Sequence, residues 1–104
     1  MIVYNTTFHV AKEIEKEGLE YLKKIYIPQA LASGFLMNAC LRRVLHTAPD
    51  DGASFSVQFH VKNVDTLNYW LQKEGNAFHQ ELVDRFGHQV AGFSTLLEEI
   101  ELEE

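Results

Sequence analysis

The stretch from Ser54 to Lys62 alternates without a fault. Phe55, Val57, Phe59 and Val61 fall on one side, and Ser54, Ser56, Gln58, His60 and Lys62 on the other. A period of two with β-branched and aromatic residues predicts a strand laid on a core, its other face turned to polar surroundings. Residues 2–10 repeat the pattern, with Ile2, Tyr4, Thr6, Phe8 and Val10 opposed to Val3, Asn5, Thr7 and His9. Phe35 to His46 reads as a further strand. The turn residues Ala48-Pro49-Asp50-Asp51-Gly52 join it to the 54–62 strand as a hairpin. From Val90 to about Leu102 the pattern changes: Val90, Ala91, Phe93, Leu96 and Leu97 make this strand apolar on both sides until the glutamates begin.

Two blocks between the strands carry helical spacing. Lys12 to Tyr26 places Ile14, Leu22, Ile25 and Tyr26 together, and Pro28 predicts a kink or stop near Ile27. Gln29 to Ser33 adds one turn, closed by Gly34. The second block is capped by Asn63 or Asp65 and aligns Leu67, Trp70, Leu71, Phe78, Leu82 and Phe86, with a break predicted at Gly75-Asn76. The order is therefore β-α-β-β-α-β. It predicts an α+β, ferredoxin-like domain over residues 1–104: a four-stranded antiparallel sheet with two helices on one face. At 104 residues there is material for one core. The crossover rule sets strands one and three side by side at the sheet centre and, on this reading, parallel.

Such a sheet leaves one face without helices. The predicted occupants of that face are Asn5, Thr7 and His9 from strand one, Asn38, Cys40 and Arg42 from strand two, and Ser54, Ser56, Gln58 and His60 from strand three. Val3, Leu36 and Val44 rim it. Water, nucleic acid or a second sheet are its possible covers. Nucleic acid fits poorly, because the strand-three aromatics fall on the core side, away from where bases would stack. Charge agrees. Five of the six net negative charges come from a tail in which Glu98, Glu99, Glu101, Glu103 and Glu104 are crowded, while residues 1–97 hold ten acids against nine bases. The doubly apolar last strand favours a homodimer closed sheet against sheet. No membrane-length apolar run and no signal-peptide pattern occur, and Cys40 is the sole cysteine, so a cytoplasmic location is expected.

Several segments resemble a known family: Ile2-Val3-Tyr4-Asn5-Thr6-Thr7, Tyr26-Ile27-Pro28, Leu31-Ala32-Ser33-Gly34-Phe35, Ser54-Phe55-Ser56-Val57-Gln58-Phe59, and Arg85-Phe86-Gly87 followed by Gly92-Phe93-Ser94-Thr95-Leu96-Leu97-Glu98. Together they resemble the small bacterial family called domain of unknown function 4286, over nearly the whole chain. That resemblance implies the dimeric α+β barrel group and carries no established activity. The wider group includes cofactor-free oxygenases of antibiotic biosynthesis and heme-degrading monooxygenases. By that likeness Asn5, Trp70 and His79 are catalytic candidates, with Asn5 positioning substrate and His79 ligating iron. The ordinary reading makes Trp70 helix core and His79 a surface residue.

The preferred functional expectation is a small-molecule-binding homodimer, with Asn5, His9, Arg42, Gln58 and His60 lining a cavity at the open face. Arg42 is the reason to suspect an anionic ligand, since its guanidinium can grip a carboxylate or phosphate by two hydrogen bonds. His9 and His60 lie on adjacent strands but lack the further ligands a metal needs, so neither metal nor cofactor is expected. Cys40 reads as a small buried strand residue. A monooxygenase of the antibiotic-biosynthesis type and a purely structural or protein-interaction dimer are the alternatives.

Overall fold

A computed structural model describes residues 1–45 and 52–103, so the predicted Pro-Asp-Asp turn lies outside the described residues. The strands are β1 (Ile2–Ala11), β2 (Leu36–Val44), β3 (Gly52–Val61) and β4 (Val90–Glu98), in the spatial order β2-β3-β1-β4. β2 and β4 end short of the predicted His46 and Leu102. Strands one and three are central neighbours, as expected, but antiparallel: Ile2 faces Val61 and Ala11 faces Gly52. The error lies in which pair the crossover makes parallel. The first helical crossover returns β2 in the direction of β1, and β2 then pairs antiparallel with β3. All the pairings are thus antiparallel.

Each helical block runs on through a wide turn, the first at the kink or stop expected near Ile27, the second at the break expected at Gly75-Asn76. The first runs through α1 (Glu15–Tyr21), a wide π turn (Leu22–Tyr26) and α2 (Ile27–Ala32). Pro28 stands in the opening turn of α2, where a missing N–H costs least, and the Ile27 N–H reaches back to the Leu22 carbonyl across the wide turn. Gly34, at φ +82°, ends this block in a conformation that favours glycine. The second block comprises α3 (Val64–Trp70), another π turn (Leu71–Gly75) and α4 (Asn76–Phe86). Asn63 is its cap, its side-chain oxygen accepting the Thr66 N–H at 2.8 Å. Gly75 keeps right-handed helical dihedrals instead of stopping the helix, with Leu71 and Trp70 packed against it.

The core lies between the sheet and these helices. Tyr4, Phe8 and Val10 from β1 and Phe55, Val57, Phe59 and Val61 from β3 meet Tyr21, Leu22, Tyr26, Leu67 and Trp70. In β2 the alternation slips. Met37 faces His60 and Cys40 faces Gln58, so Asn38 and Ala39 together oppose Phe59 in a bulge. Asn38 takes φ +54°, a region asparagine tolerates better than most residues. The extra residue reverses the faces on one side of the bulge. Leu36, expected at the rim of the open face, is buried on the helix side, and Met37 takes the open side.

Candidate ligand pocket

The open face gathers the predicted polar residues. Asn5 pairs with Gln58 across β1 and β3, His9 with Ser54, and Cys40 with Gln58 across β2 and β3. The Ser56 hydroxyl donates to Asn5 Oδ1 at 2.7 Å, and Asn5 Nδ2 reaches Thr7 Oγ1 at 3.4 Å. His9 Nδ1 meets the Ser54 hydroxyl at 3.1 Å, and Arg42 donates to Gln58 Oε1 at 3.1 Å. His60 Nε2 stands 3.5 Å from a Glu99 carboxylate oxygen, while its Nδ1 is buried with no hydrogen-bond partner among the described residues. The five predicted ligand-binding residues therefore share one surface, and much of their hydrogen-bonding capacity is spent within it. Cys40 is exposed there and not buried, because β2 is an edge strand. Among the described residues no group of three or more His, Cys, Asp or Glu could hold a metal.

A cavity of about 380 Å³ lies on the other side of the sheet. Its floor is β1 and β4, through Tyr4, Thr6, Phe8 and Val90 to Ser94, and its roof is the second helical block, through Trp70, Gly75, Phe78, His79, Leu82 and Val83. Tyr26 closes the inner end. Local sequence explains the space. Gly92 faces Phe8 across β1 and β4, and a Cβ there would come within 3.0 Å of the Phe8 ring, so the floor is low at this point. The rings hold one another edge-on: Trp70 lies 5.3 Å from Phe78 and 6.1 Å from Tyr4, and Phe8 lies 5.4 Å from Tyr26.

Hydroxyls thread through this aromatic lining. Ser94 Oγ shares a 3.0 Å hydrogen bond with Thr6 Oγ1 and donates to the Tyr4 hydroxyl at 3.4 Å. Burial, with Tyr4 nearby as a lesser influence, pushes the Tyr26 phenol far above the usual tyrosine range. Tyr26 therefore stays neutral. The Trp70 indole N–H is buried without a hydrogen-bond partner among the described residues. Among the described residues no Lys, Arg, Asp or Glu lines the cavity.

The three catalytic candidates divide between the two sides of the sheet. Trp70 and His79 line the cavity, whereas Asn5 lies on the open face beside Ser56. A heme site built on all three does not fit this chain. Trp70 is core, 1% exposed, and His79 is on the helix surface, as the ordinary reading of both had it. The cavity itself was not foreseen from sequence. Its signals were Gly92 opposite Phe8 and the lone polar residues Thr6 and Ser94 on the inward sides of apolar strands.

Comparison with known proteins fits this architecture. A family model described as domain of unknown function, DUF4286, matches residues 1–100. The chain belongs to this family. No curated protein is matched by the sequence. Among solved structures the chain is similar to an ethyl tert-butyl ether D (EthD) family protein from Bacillus halodurans, with 13% identity, coverage of 96% of this chain and 100% of that one, and a TM-score of 0.70. A putative antibiotic biosynthesis monooxygenase from Deinococcus radiodurans is similar at 16% identity, over 100% of this chain and 97% of that one, with a TM-score of 0.64. A dimeric ferredoxin-like protein from an uncultured marine organism gives 10% identity, 99% and 100% coverage, and a TM-score of 0.63. At identities this low the structural likeness shows a shared fold and nothing more.

Proposed function

We propose that this DUF4286 member is a homodimer closed through its open sheet faces, each protomer holding a small organic molecule in the helix-side cavity. The observation that carries the binding half is the cavity itself: about 380 Å³, walled by aromatic rings with hydroxyls among them. Apolar walls with a few converging polar groups are what small-molecule sites are made of, and this volume sits at the lower end of their range. The dimer half rests on β4. Phe93 is 66% and Leu97 44% exposed, and both stand on the open side, opposite Thr7 and Val3. A second sheet would cover them, together with the polar seam of Asn5, His9, Arg42, Gln58 and His60. A protein of similar fold described as dimeric supports a dimer.

Thermal denaturation across a panel of small molecules tests the binding half. Compounds that raise the melting temperature should lose their effect in Val83→Trp, which puts a large ring into the cavity wall, and keep it in Arg42→Ala/His60→Ala. The reverse pattern would move the site to the open face. No stabilising compound in any variant would leave a purely structural dimer.

A cofactor-free monooxygenase is the second reading. It is favoured by the same ring-lined cavity and by the relative described as a monooxygenase. Oxygen uptake on mixing with an anthrone-type phenol, lost in Val83→Trp, would support it, and no uptake would remove it.

A further inference from the structure

Granting that the helix-side cavity is the binding site, we infer that it takes an uncharged, planar ring compound carrying an oxygen that meets the Thr6–Ser94–Tyr4 hydroxyls. Three observations converge on that class. First, the rings of Tyr4, Phe8, Tyr26, Trp70 and Phe78 line the cavity, five of the chain's twelve Phe, Tyr and Trp residues. Rings packed edge-on present flat, polarisable walls that suit another ring better than a flexible aliphatic chain.

Second, among the described residues no lysine or arginine lines the space. The nearest analogue of an anion clamp, Arg42, is on the opposite face of the sheet and already bonded to Gln58. A carboxylate or phosphate entering the cavity would lose its water and gain no counter-charge, a transfer that costs several kcal/mol. The suspicion of an anionic ligand, which Arg42 raised, does not extend to this site.

Third, the polar groups among the aromatic rings of the floor and inner end are hydroxyls. Thr6, Ser94, Tyr4 and Tyr26 bear hydroxyls, and each hydroxyl both donates and accepts. Ser94 lies on the edge strand at the exposed end of the group, with Thr6 and Tyr4 buried behind it. An entering carbonyl, ether or phenol oxygen reaches Ser94 first and joins an existing chain of bonds without breaking an ion pair.

Equilibrium dialysis of the intact chain with three probes of one ring system tests the inference: 2-acetylnaphthalene, 2-ethylnaphthalene and 2-naphthoate. The ketone should bind at least about tenfold more tightly than the carboxylate at neutral pH. The ketone-to-hydrocarbon affinity ratio, which cancels the ring's own contribution, should fall by about threefold to tenfold in Thr6→Val/Ser94→Ala, the loss expected for one neutral hydrogen bond. Ser94→Ala alone, at an exposed position, provides the same comparison if the double variant does not fold. Carboxylate binding equal to that of the ketone, or an unchanged ratio in the variants, would overturn the ligand class while leaving the cavity as the binding site. Retention of none of the three probes would overturn the ligand class and the binding site together.

Discussion

Leu97→Ala isolates the proposed interface from everything else in the molecule. Leu97 stands opposite Val3 on the open face, is 44% exposed in the protomer, and does not line the cavity. The substitution removes three carbons, each worth about 0.8 kcal/mol when fully buried. Only the exposed 44% is left for a partner to cover, which gives about 1 kcal/mol per copy. A two-fold interface contains the residue twice, so the dimer should weaken by about 2 kcal/mol, roughly thirtyfold in its dissociation constant. Sedimentation equilibrium over a hundredfold concentration range reads this directly. Leu31→Ala is the matched control, since Leu31 is 40% exposed but belongs to α2 in the helical layer. It should leave the association constant unchanged. A wild-type chain that stays monomeric, or a Leu97→Ala dimer as tight as wild type, would refute the reasoning.

Three further predictions concern the fold that carries the site. Gly18→Ala would set a Cβ 2.7 Å from Val10 Cγ1, so overpacking should cost about 1–3 kcal/mol, read as a lowered denaturant midpoint. Asn63→Ala removes the acceptor for the Thr66 N–H and should cost about 1 kcal/mol, lowering the melting temperature by several degrees. Burial raises the pKa of both Tyr21 and Tyr26 above the ordinary value of 10.0. The unfolded chain therefore releases these protons first, so stability is fully present below about pH 10 and falls as pH rises beyond it. Tyr26→Phe should flatten that alkaline loss in pH-dependent denaturant melts, and an unchanged slope would count against the burial argument.

The sequence spoke most clearly where one face of a strand is simply buried. In β1 and β3 the period of two reads straight through to the structure: Phe55, Val57, Phe59 and Val61 go inward, and Asn5, His9, Gln58 and His60 outward. It misled where a local irregularity resets the count. The bulge at Asn38 and Ala39 lies in a segment whose apolar residues do not alternate, so the choice of φ at one asparagine leaves no periodic trace, and Leu36 changes sides as a result. Pro28 and Gly75 were read by their intrinsic preferences, but wide turns absorb both and packing around Tyr26 and Trp70 keeps the rods whole. The cavity stayed hidden for a different reason. It is a space between Gly92, Phe8 and the roof helix, and emptiness depends on how far apart two packed layers stand, which no single segment encodes.

The central claim is that the two sides of the sheet have different tasks: the polar face meets a second copy, and the ring-lined side takes the ligand. A titration of isotope-labelled protein with 2-acetylnaphthalene, followed by two-dimensional amide NMR, tests it most directly, because the chain has one tryptophan and so one indole N–H signal, that of Trp70. A ligand in the helix-side cavity should give saturable shifts of that signal and of the Phe78, His79, Gly92 and Ser94 amides, with Asn5, Gln58 and His60 unmoved. Shifts centred on Asn5, Gln58 and His60, with the Trp70 indole unchanged, would contradict it.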